Sequence, residues 1–246
     1  TSPVTFVASS NAALYCGARV DFVDIDPLTY NMCPIKLEEK LVDASNKNAL
    51  PKILVPVHLC GQSCDMKKIK KLCDKYGIRI IEDASHAIGG KYHSEPIGNC
   101  RYSDITVFSF HPVKIITTAE GGAALTNDEH LLNKMNLLRS HGITRDDKEM
   151  TEDPHGSWYY QQIDLGFNYR MTDLQAALGI SQLKRIDEYI STRHNIAAVY
   201  DKAFEEKLPI NIPKHLDNTY SSYHLYVIRL QLNNIKRTHK DFFEEL

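Results

Sequence analysis

A strand–helix–strand pattern in residues 53–81 constrains the fold more than any other feature of the sequence. Two apolar runs, residues 53–57 and 78–81, each have the length of a buried strand. Between them, Asp65 can cap a helix whose apolar residues recur three or four positions apart, and Gly77 can end that helix in a left-handed conformation. This order is typical of a parallel crossover, so we predict two parallel strands here.

The same alternation of strands and helices continues along the chain. Further strands are predicted at residues 4–8, 105–109 and 223–230, and further helices at residues 131–138 and from Thr172 onwards. Alternating strands and helices indicate an α/β fold with a largely parallel central sheet.

The C-terminal part of the chain indicates a second, smaller domain. We predict a large domain in residues 1–190, followed in residues 191–246 by a linking helix and the beginning of a small C-terminal domain. The chain begins at Thr1 rather than at Met, close to a predicted strand, and the small domain is short. We therefore expect that the N-terminal part of the large domain and the end of the small domain lie outside this sequence.

Charge and composition argue against several classes of protein. The chain carries 29 Lys and Arg against 31 Asp and Glu, a net charge of −2, whereas nucleic-acid binders usually carry a basic excess. The sequence has no apolar stretch of transmembrane length and no signal peptide, so we expect a cytoplasmic protein that does not contact a membrane. Its six cysteines are then expected to be reduced. No metal site is predicted, because the close pair Cys60 and Cys64 lacks a second Cys/His pair at zinc-site spacing.

Two predicted strand ends carry ionisable side chains, and ligands of open α/β sheets bind beyond the carboxyl ends of the strands. Asp83 follows the apolar run 78–81, where a partly desolvated carboxylate needs a cationic or proton-bearing partner; a helix N-cap is the alternative interpretation. Lys114 follows the strand 105–109 among apolar and β-branched neighbours. A desolvated lysine there can form a Schiff base with an aldehyde, whereas the alternative is a surface lysine beside a strand.

A lysine and an aspartate together are the minimal pair that pyridoxal phosphate requires. The lysine binds the aldehyde, and the aspartate keeps the pyridine nitrogen protonated so that the ring can absorb the electrons of a carbanion. The hydroxyl of Ser109 can bind the phosphate. A nicotinamide cofactor is disfavoured, because no Gly-x-Gly-x-x-Gly motif follows any predicted strand.

Six segments, in order along the chain, carry a resemblance to a known family. They are residues 5–11, 22–26, 58–62, 82–89, 109–122 and 166–173. The sequence resembles the DegT/DnrJ/EryC1/StrS family of sugar aminotransferases. The resemblance implies the pyridoxal-phosphate-dependent transferase fold of type I, which is aspartate aminotransferase-like. It also implies an upstream phosphate-binding segment, which we expect to precede Thr1.

The resemblance also implies roles for individual residues. Lys114 takes the position of the Schiff-base lysine and would shuttle the proton between cofactor and sugar. Asp83 takes the position of the pyridinium partner, and Ser109 takes that of a phosphate ligand. His86 takes the position that meets the cofactor's ring hydroxyl; a satisfied strand-end histidine is the alternative. Asn168 takes the position of a residue that reaches the phosphate from the neighbouring subunit, which implies a homodimer with shared active sites.

Three further residues are candidates for the sugar pocket. Arg170 follows Asn168 on the same predicted loop and either contacts a substrate anion or forms a salt bridge at a subunit interface. His141 and Tyr160 are the other two candidates.

A narrower resemblance rests on residues 116–122, 139–142 and 221–226, which are similar to the aminotransferases of pseudaminic acid biosynthesis. It implies transfer of an amino group from glutamate to C4 of a UDP-linked 4-keto-6-deoxy-N-acetylhexosamine. The alternatives are another nucleotide-linked keto sugar, a regulatory or binding protein without turnover, and a dehydratase of the same fold. Lys114 argues against the dehydratase, because those relatives have histidine at that position.

Overall fold

The computed structural model describes residues 1–204 and 208–245. The α-helices are α1 (Ala8–Tyr15), α2 (Pro34–Asn46), α3 (Met66–Tyr76), α4 (Glu129–Leu138), α5 (Asp173–Leu183), α6 (Ile186–Phe204) and α7 (His239–Glu245). The strands are β1 (Ile53–Leu54), β2 (Arg79–Asp83), β3 (Lys91–Tyr92), β4 (Glu95–Pro96), β5 (Ile105–Ser109), β6 (Gly122–Leu125), β7 (Ile143–Thr144), β8 (Gln161–Gln162), β9 (Ile210–Asn211), β10 (Thr219–Tyr220) and β11 (Arg229–Leu230). Short 3-10 turns lie at Leu59–Gly61 and Leu232–Asn234.

The central sheet has the strand order β1-β2-β5-β6. Strand β2 pairs with β1 and β5 in parallel, and β6 joins β5 in antiparallel orientation. The prediction of an α/β fold with a mostly parallel sheet is therefore confirmed, although the edge strand β6 makes the sheet mixed. Three smaller antiparallel sheets lie outside it: β10-β3-β4, β11-β9 and β7-β8.

The crossover between β1 and β2 forms as the sequence predicts. The Asp65 side chain accepts a hydrogen bond from the Lys68 amide at the start of α3, and Gly77 ends the helix with φ 67°. Helix α3 buries Met66 and Ile69 in a core that also contains apolar residues of α2, β1 and β2. Each such buried side chain stabilises the fold by about 1.5–3 kcal/mol. This core joins α2 and α3 to the two parallel strands.

Two predicted strands are wrong. Residues 4–8 form bends that lead into α1, and the side chains of Phe6 and Val7 are exposed rather than paired in a sheet. In the predicted strand 223–230, only Arg229–Leu230 is extended and paired, with β9. The alternating apolar pattern of that segment does not form a full strand, because side chains of α6 rather than a neighbouring strand bind the backbone carbonyls of its first residues.

The predicted domain boundary at residue 190 falls within α6, and the division into residues 1–190 and 191–246 stays a prediction. Residues 205–207 and 246 of that C-terminal part lie outside the described residues. Among the helices described, none is both long and apolar enough to span a bilayer. In the same part of the chain, no three His, Cys, Asp or Glu side chains group where a metal ion could bind.

Candidate active site

The carboxyl ends of β2 and β5 bring the main candidate residues to one edge of the sheet. Asp83 is the last residue of β2 and Ser109 the last of β5, and the two strands are parallel neighbours in which Asp83 lies opposite Val107. Lys114 follows β5 after a tight turn in which its amide donates to the carbonyl of His111 at 2.9 Å. The sheet topology therefore gathers a carboxylate, a hydroxyl and an amine that are distant in sequence.

Asp83 is held by hydrogen bonds to both carboxylate oxygens. The Ser9 hydroxyl donates to Oδ2 at 2.5 Å, and the Ser85 amide donates to Oδ1 at 3.1 Å. Ser9 is a site residue that the sequence does not predict, although it lies within the segment 5–11 that carries part of the resemblance. The helix N-cap interpretation of Asp83 does not hold, because no helix begins at the following residues.

A buried pair behind the sheet end anchors Asp83. Successive side chains of a strand point to opposite faces, so Glu82 points away from Asp83 and meets His58, whose Nε2 lies 2.7 Å from Glu82 Oε2. Both side chains are buried. His58 Nδ1 accepts from the Cys64 amide at 3.2 Å, which leaves Nε2 to donate to Glu82. The His58 amide also donates to the Asp83 carbonyl at 3.0 Å, which ties the strand end to this pair.

Burial tunes the chemistry of the half-buried Lys114. Desolvation lowers the pKa of its amine, and the nearby Asp83 carboxylate offsets part of that shift. The net shift is downward, so more of the amine is unprotonated near neutral pH than for a surface lysine. An unprotonated amine is the form that attacks an aldehyde carbon.

His86 is a neutral imidazole with a defined tautomer. Its pKa is lowered to about 4, mainly by burial and also by the Lys114 charge, while the Asp83 charge opposes the shift. Its Nδ1 accepts a hydrogen bond from the Cys60 amide at 3.2 Å, so the proton of the neutral ring is on Nε2. The ring of His224 packs against it with the ring centres 4.4 Å apart. His86 therefore offers an N–H donor beside Lys114 and Asp83.

Ser109 is half-buried at the end of β5. Its hydroxyl oxygen accepts a long hydrogen bond of 3.4 Å from the His111 amide. The hydroxyl proton of Ser109 is thus left to donate to a ligand oxygen.

The remaining candidates lie on exposed loops. His141 and Asn168 come together through the backbone, because the His141 amide donates to the Phe167 carbonyl at 2.8 Å and Ser140 bridges to Asn168. The side chains of His141, Asn168 and Arg170 are exposed. Tyr160 is 52% exposed, and the Arg145 guanidinium lies 5.8 Å from its ring centre. The structure does not bring these four side chains into contact with Asp83 or Lys114.

The chain has an α/β fold with ionisable side chains at the carboxyl edge of its sheet, and comparison with known proteins identifies its family. The chain belongs to the DegT/DnrJ/EryC1/StrS aminotransferase family, whose profile matches residues 1–246.

Individual relatives support the same assignment. Over 230 residues the chain is 43% identical to the UDP-4-amino-4,6-dideoxy-N-acetyl-beta-L-altrosamine transaminase of Campylobacter jejuni, covering 94% of this chain and 57% of that protein. The solved structure of Helicobacter pylori PseC, described as an aminotransferase involved in the biosynthesis of pseudoaminic acid, matches with a TM-score of 0.83 at 34% identity, over 99% of this chain and 58% of that one. The PLP form of Streptococcus pneumoniae Spr1654 matches with a TM-score of 0.78 at 30% identity. The match covers 92% of this chain and 58% of that one.

Proposed function

We propose that the protein is a pyridoxal-phosphate-dependent aminotransferase that transfers an amino group from glutamate to C4 of a UDP-linked 4-keto-6-deoxy-N-acetylhexosamine. The observation that carries this proposal is the meeting of Asp83 and Lys114 at the carboxyl edge of the sheet, with the pKa of the Lys114 amine lowered by burial. The chain spans less than two thirds of the length of its relatives, so the activity belongs to the whole protein.

The residues present fit pyridoxal phosphate by their donor chemistry. The Asp83 carboxylate, already oriented by Ser9, suits a protonated ring nitrogen, and the His86 Nε2–H suits the ring oxygen. Lys114 would hold the aldehyde carbon, and Ser109 would donate to the phosphate. When bound, the cofactor supplies a protonated ring that withdraws electrons from the carbon at which the amino group is exchanged.

Each side chain then has a physical task. Asp83 holds the proton on the ring nitrogen, since an ionised carboxylate stabilises a nearby cation most strongly where water is excluded. Lys114 Nζ accepts and returns the proton at the reacting carbon, which requires an amine whose pKa is below that of a free lysine. His86 stays neutral, so it adds no second positive charge beside Lys114.

The proposed substrate rests on the names of the relatives and on the exposed loops. The Campylobacter jejuni relative is named for a UDP-linked amino sugar, and the Helicobacter pylori structure for the biosynthesis of pseudoaminic acid. We assign Arg170, His141 and Tyr160 to the sugar side of the site, where exposed polar and aromatic groups suit a hydrated ligand. Asn168 would reach the cofactor phosphate of the partner subunit in a homodimer with shared sites.

Reduction with borohydride tests the cofactor and the lysine together. The full-length protein is incubated with pyridoxal phosphate, reduced and mapped by mass spectrometry. We expect a phosphopyridoxyl group on Lys114, its loss in Lys114→Ala, and its retention in the matched surface variant Lys148→Ala.

An unmodified Lys114 in folded protein would contradict the proposal and favour a binding or regulatory role. Amino transfer from glutamate is then assayed with a panel of UDP- and GDP-linked 4-keto-6-deoxy sugars. Turnover with the UDP-linked N-acetyl sugar supports the proposed substrate, and a strong preference for another sugar overturns it.

A further inference from the structure

The imidazole of His224 is buried against the ring of His86 and leaves one of its nitrogens without a hydrogen-bond partner in the described residues. Its side chain lies in the segment 221–224 that precedes β11, and the residue is 9% exposed. Within the described residues, its Nδ1 is buried and has no hydrogen-bond partner. An unpaired buried nitrogen costs stability, and a phenylalanine would fill the same space without that cost.

The segment that carries His224 is held firmly from the side of α6. The Arg193 guanidinium donates to the carbonyls of Tyr223 and His224, at 2.9 and 3.3 Å. His194 Nε2, one residue further along the helix, lies 2.7 Å from the carbonyl of Ser221. These bonds fix the backbone on which the His224 ring is mounted.

The opposite side of this segment fits against the turn that holds His86. The Ser222 amide donates to the Gly61 carbonyl at 3.0 Å. A Cβ atom on Gly61, which has φ 108°, would lie 2.5 Å from the Ser222 hydroxyl and 2.8 Å from the Tyr223 amide nitrogen. Only glycine allows this close approach. The neighbouring Cys60 is the residue whose amide donates to His86.

Three contacts therefore converge on His86. The Ser222 hydroxyl donates to its carbonyl at 2.7 Å, the Cys60 amide donates to its Nδ1 at 3.2 Å, and the His224 ring packs on its ring at 4.4 Å with a tilt of 39°. The first two contacts fix the backbone and one ring nitrogen. The flat ring of His224 fixes the remaining rotation of the imidazole.

We propose that His224 is a positioning residue that acts through His86, holding its imidazole so that Nε2–H points at the ring oxygen of the bound cofactor. This inference rests on the proposed function for the identity of the group that His86 meets. The inference that His224 orients the His86 ring rests only on contacts within the chain.

The charges around the pair support this assignment. His86 is acted on by Lys114 and Asp83, and His224 by His86, Lys114 and Arg193. Burial lowers the pKa of His224 to about 3, together with the charged forms of His86, Lys114 and Arg193, so the ring stays neutral beside His86. A protonated ring at this position would repel both Lys114 and a protonated His86.

The first test uses nuclear magnetic resonance of histidine-labelled, cofactor-free full-length protein. His224→Phe keeps a flat ring, whereas His224→Leu fills similar space without one, and both remove the unpaired nitrogen, so both should fold. We expect His86 to stay in the Nε2–H form down to about pH 5 in the native protein and in His224→Phe. In His224→Leu we expect mixed tautomers and an upward shift of the His86 pKa by about one unit. Unchanged His86 signals in His224→Leu would overturn the proposal.

The second test uses the bound cofactor. We expect His224→Leu to weaken pyridoxal phosphate binding about tenfold, as for the loss of one good hydrogen bond, and to shift the pH midpoint of the cofactor absorbance. His224→Phe should restore both, and the exposed-site control His130→Ala should change neither. Equal effects of His224→Leu and His224→Phe on cofactor binding would contradict the role of the flat ring. If the native protein does not bind the cofactor, the proposed function fails, and the resonance experiment still decides whether His224 holds His86.

Discussion

The candidate site has two halves that differ in how they are built. The inner half consists of Ser9, Asp83, His86 and Lys114, which are half-buried and tied together by hydrogen bonds and charge within this chain. The outer half consists of His141, Tyr160, Asn168 and Arg170, whose side chains are exposed on loops.

The difference shows which part of an active site a single chain can determine. Strand ends, a hydrogen-bonded turn and a buried pair behind them fix the inner half. In the described part of the chain, the outer half is ordered through backbone contacts such as that of His141 with Phe167, and its polar atoms remain free for substrate or for a second subunit. Under the proposed function, the inner half would carry the chemistry and the exposed outer half would recognise the substrate.

The largest effect should come from the inner half. Asp83→Asn keeps the size of the side chain and the bond from Ser9 but removes the charge that stabilises a protonated ring nitrogen. We expect kcat for amino transfer to fall on the order of 10³-fold, with a melting temperature near that of the native protein.

The matched control is Asp164→Asn, which removes a carboxylate paired with Lys134 on the surface. It should leave kcat within about twofold, because exposed ion pairs contribute little. Similar losses in the two variants would mean that the halves do not differ in the way described.

An intermediate effect should come from Asn168. In Asn168→Asp a carboxylate would face the cofactor phosphate of the partner subunit, and we expect activity to fall about a hundredfold. Mixed dimers made by co-expressing Asn168→Asp with Lys114→Ala should regain activity, because one of their two sites has both native residues. If the mixture is no more active than its parents, the outer half belongs to the same subunit as the inner half.

The smallest effect should appear in acid. The folded pKa of His86, about 4, lies below the value of about 6.5 expected in the unfolded chain, so the unfolded state binds more protons between these values. The stability contributed by the neutral ring is thus present above pH 6.5 and is lost as the pH falls towards 4. Urea unfolding should show a free energy of unfolding that drops over this range.

The drop should be smaller in His86→Gln and unchanged in His130→Ala, whose side chain is exposed. An identical drop in His86→Gln would place the acid sensitivity elsewhere in the fold.

The sequence predicts an element correctly where the residues that start, pack and end the element all lie within it. Helix α3 has a capping aspartate, apolar residues at helical spacing and a terminal glycine, and it forms where expected. The segment 223–230 has only an alternating pattern. That pattern does not reveal that the Arg193 side chain donates hydrogen bonds to the first two carbonyls of the segment, in place of a neighbouring strand. The pattern within a segment cannot show that a side chain of another element competes with a strand for its backbone hydrogen bonds.

The same limit explains the site. Asp83 and Lys114 were predicted because each stands out at a strand end, and the resemblance then gave them roles. Ser9 and His224 are given no role by the sequence, because their local patterns do not show that the fold places them against Asp83 and His86. The roles of all these residues stay predictions until the variants are measured.

Strand β2 places two neighbouring carboxylates in opposite surroundings. Glu82 is enclosed with His58 in the protein interior, and Asp83 opens towards Lys114. Deleting or inserting one residue in this strand would exchange them, so that the longer acid entered the pocket and the shorter one faced His58. A change of length in the loops around this sheet would leave the two acids in place, whereas a change of one residue within β2 would not.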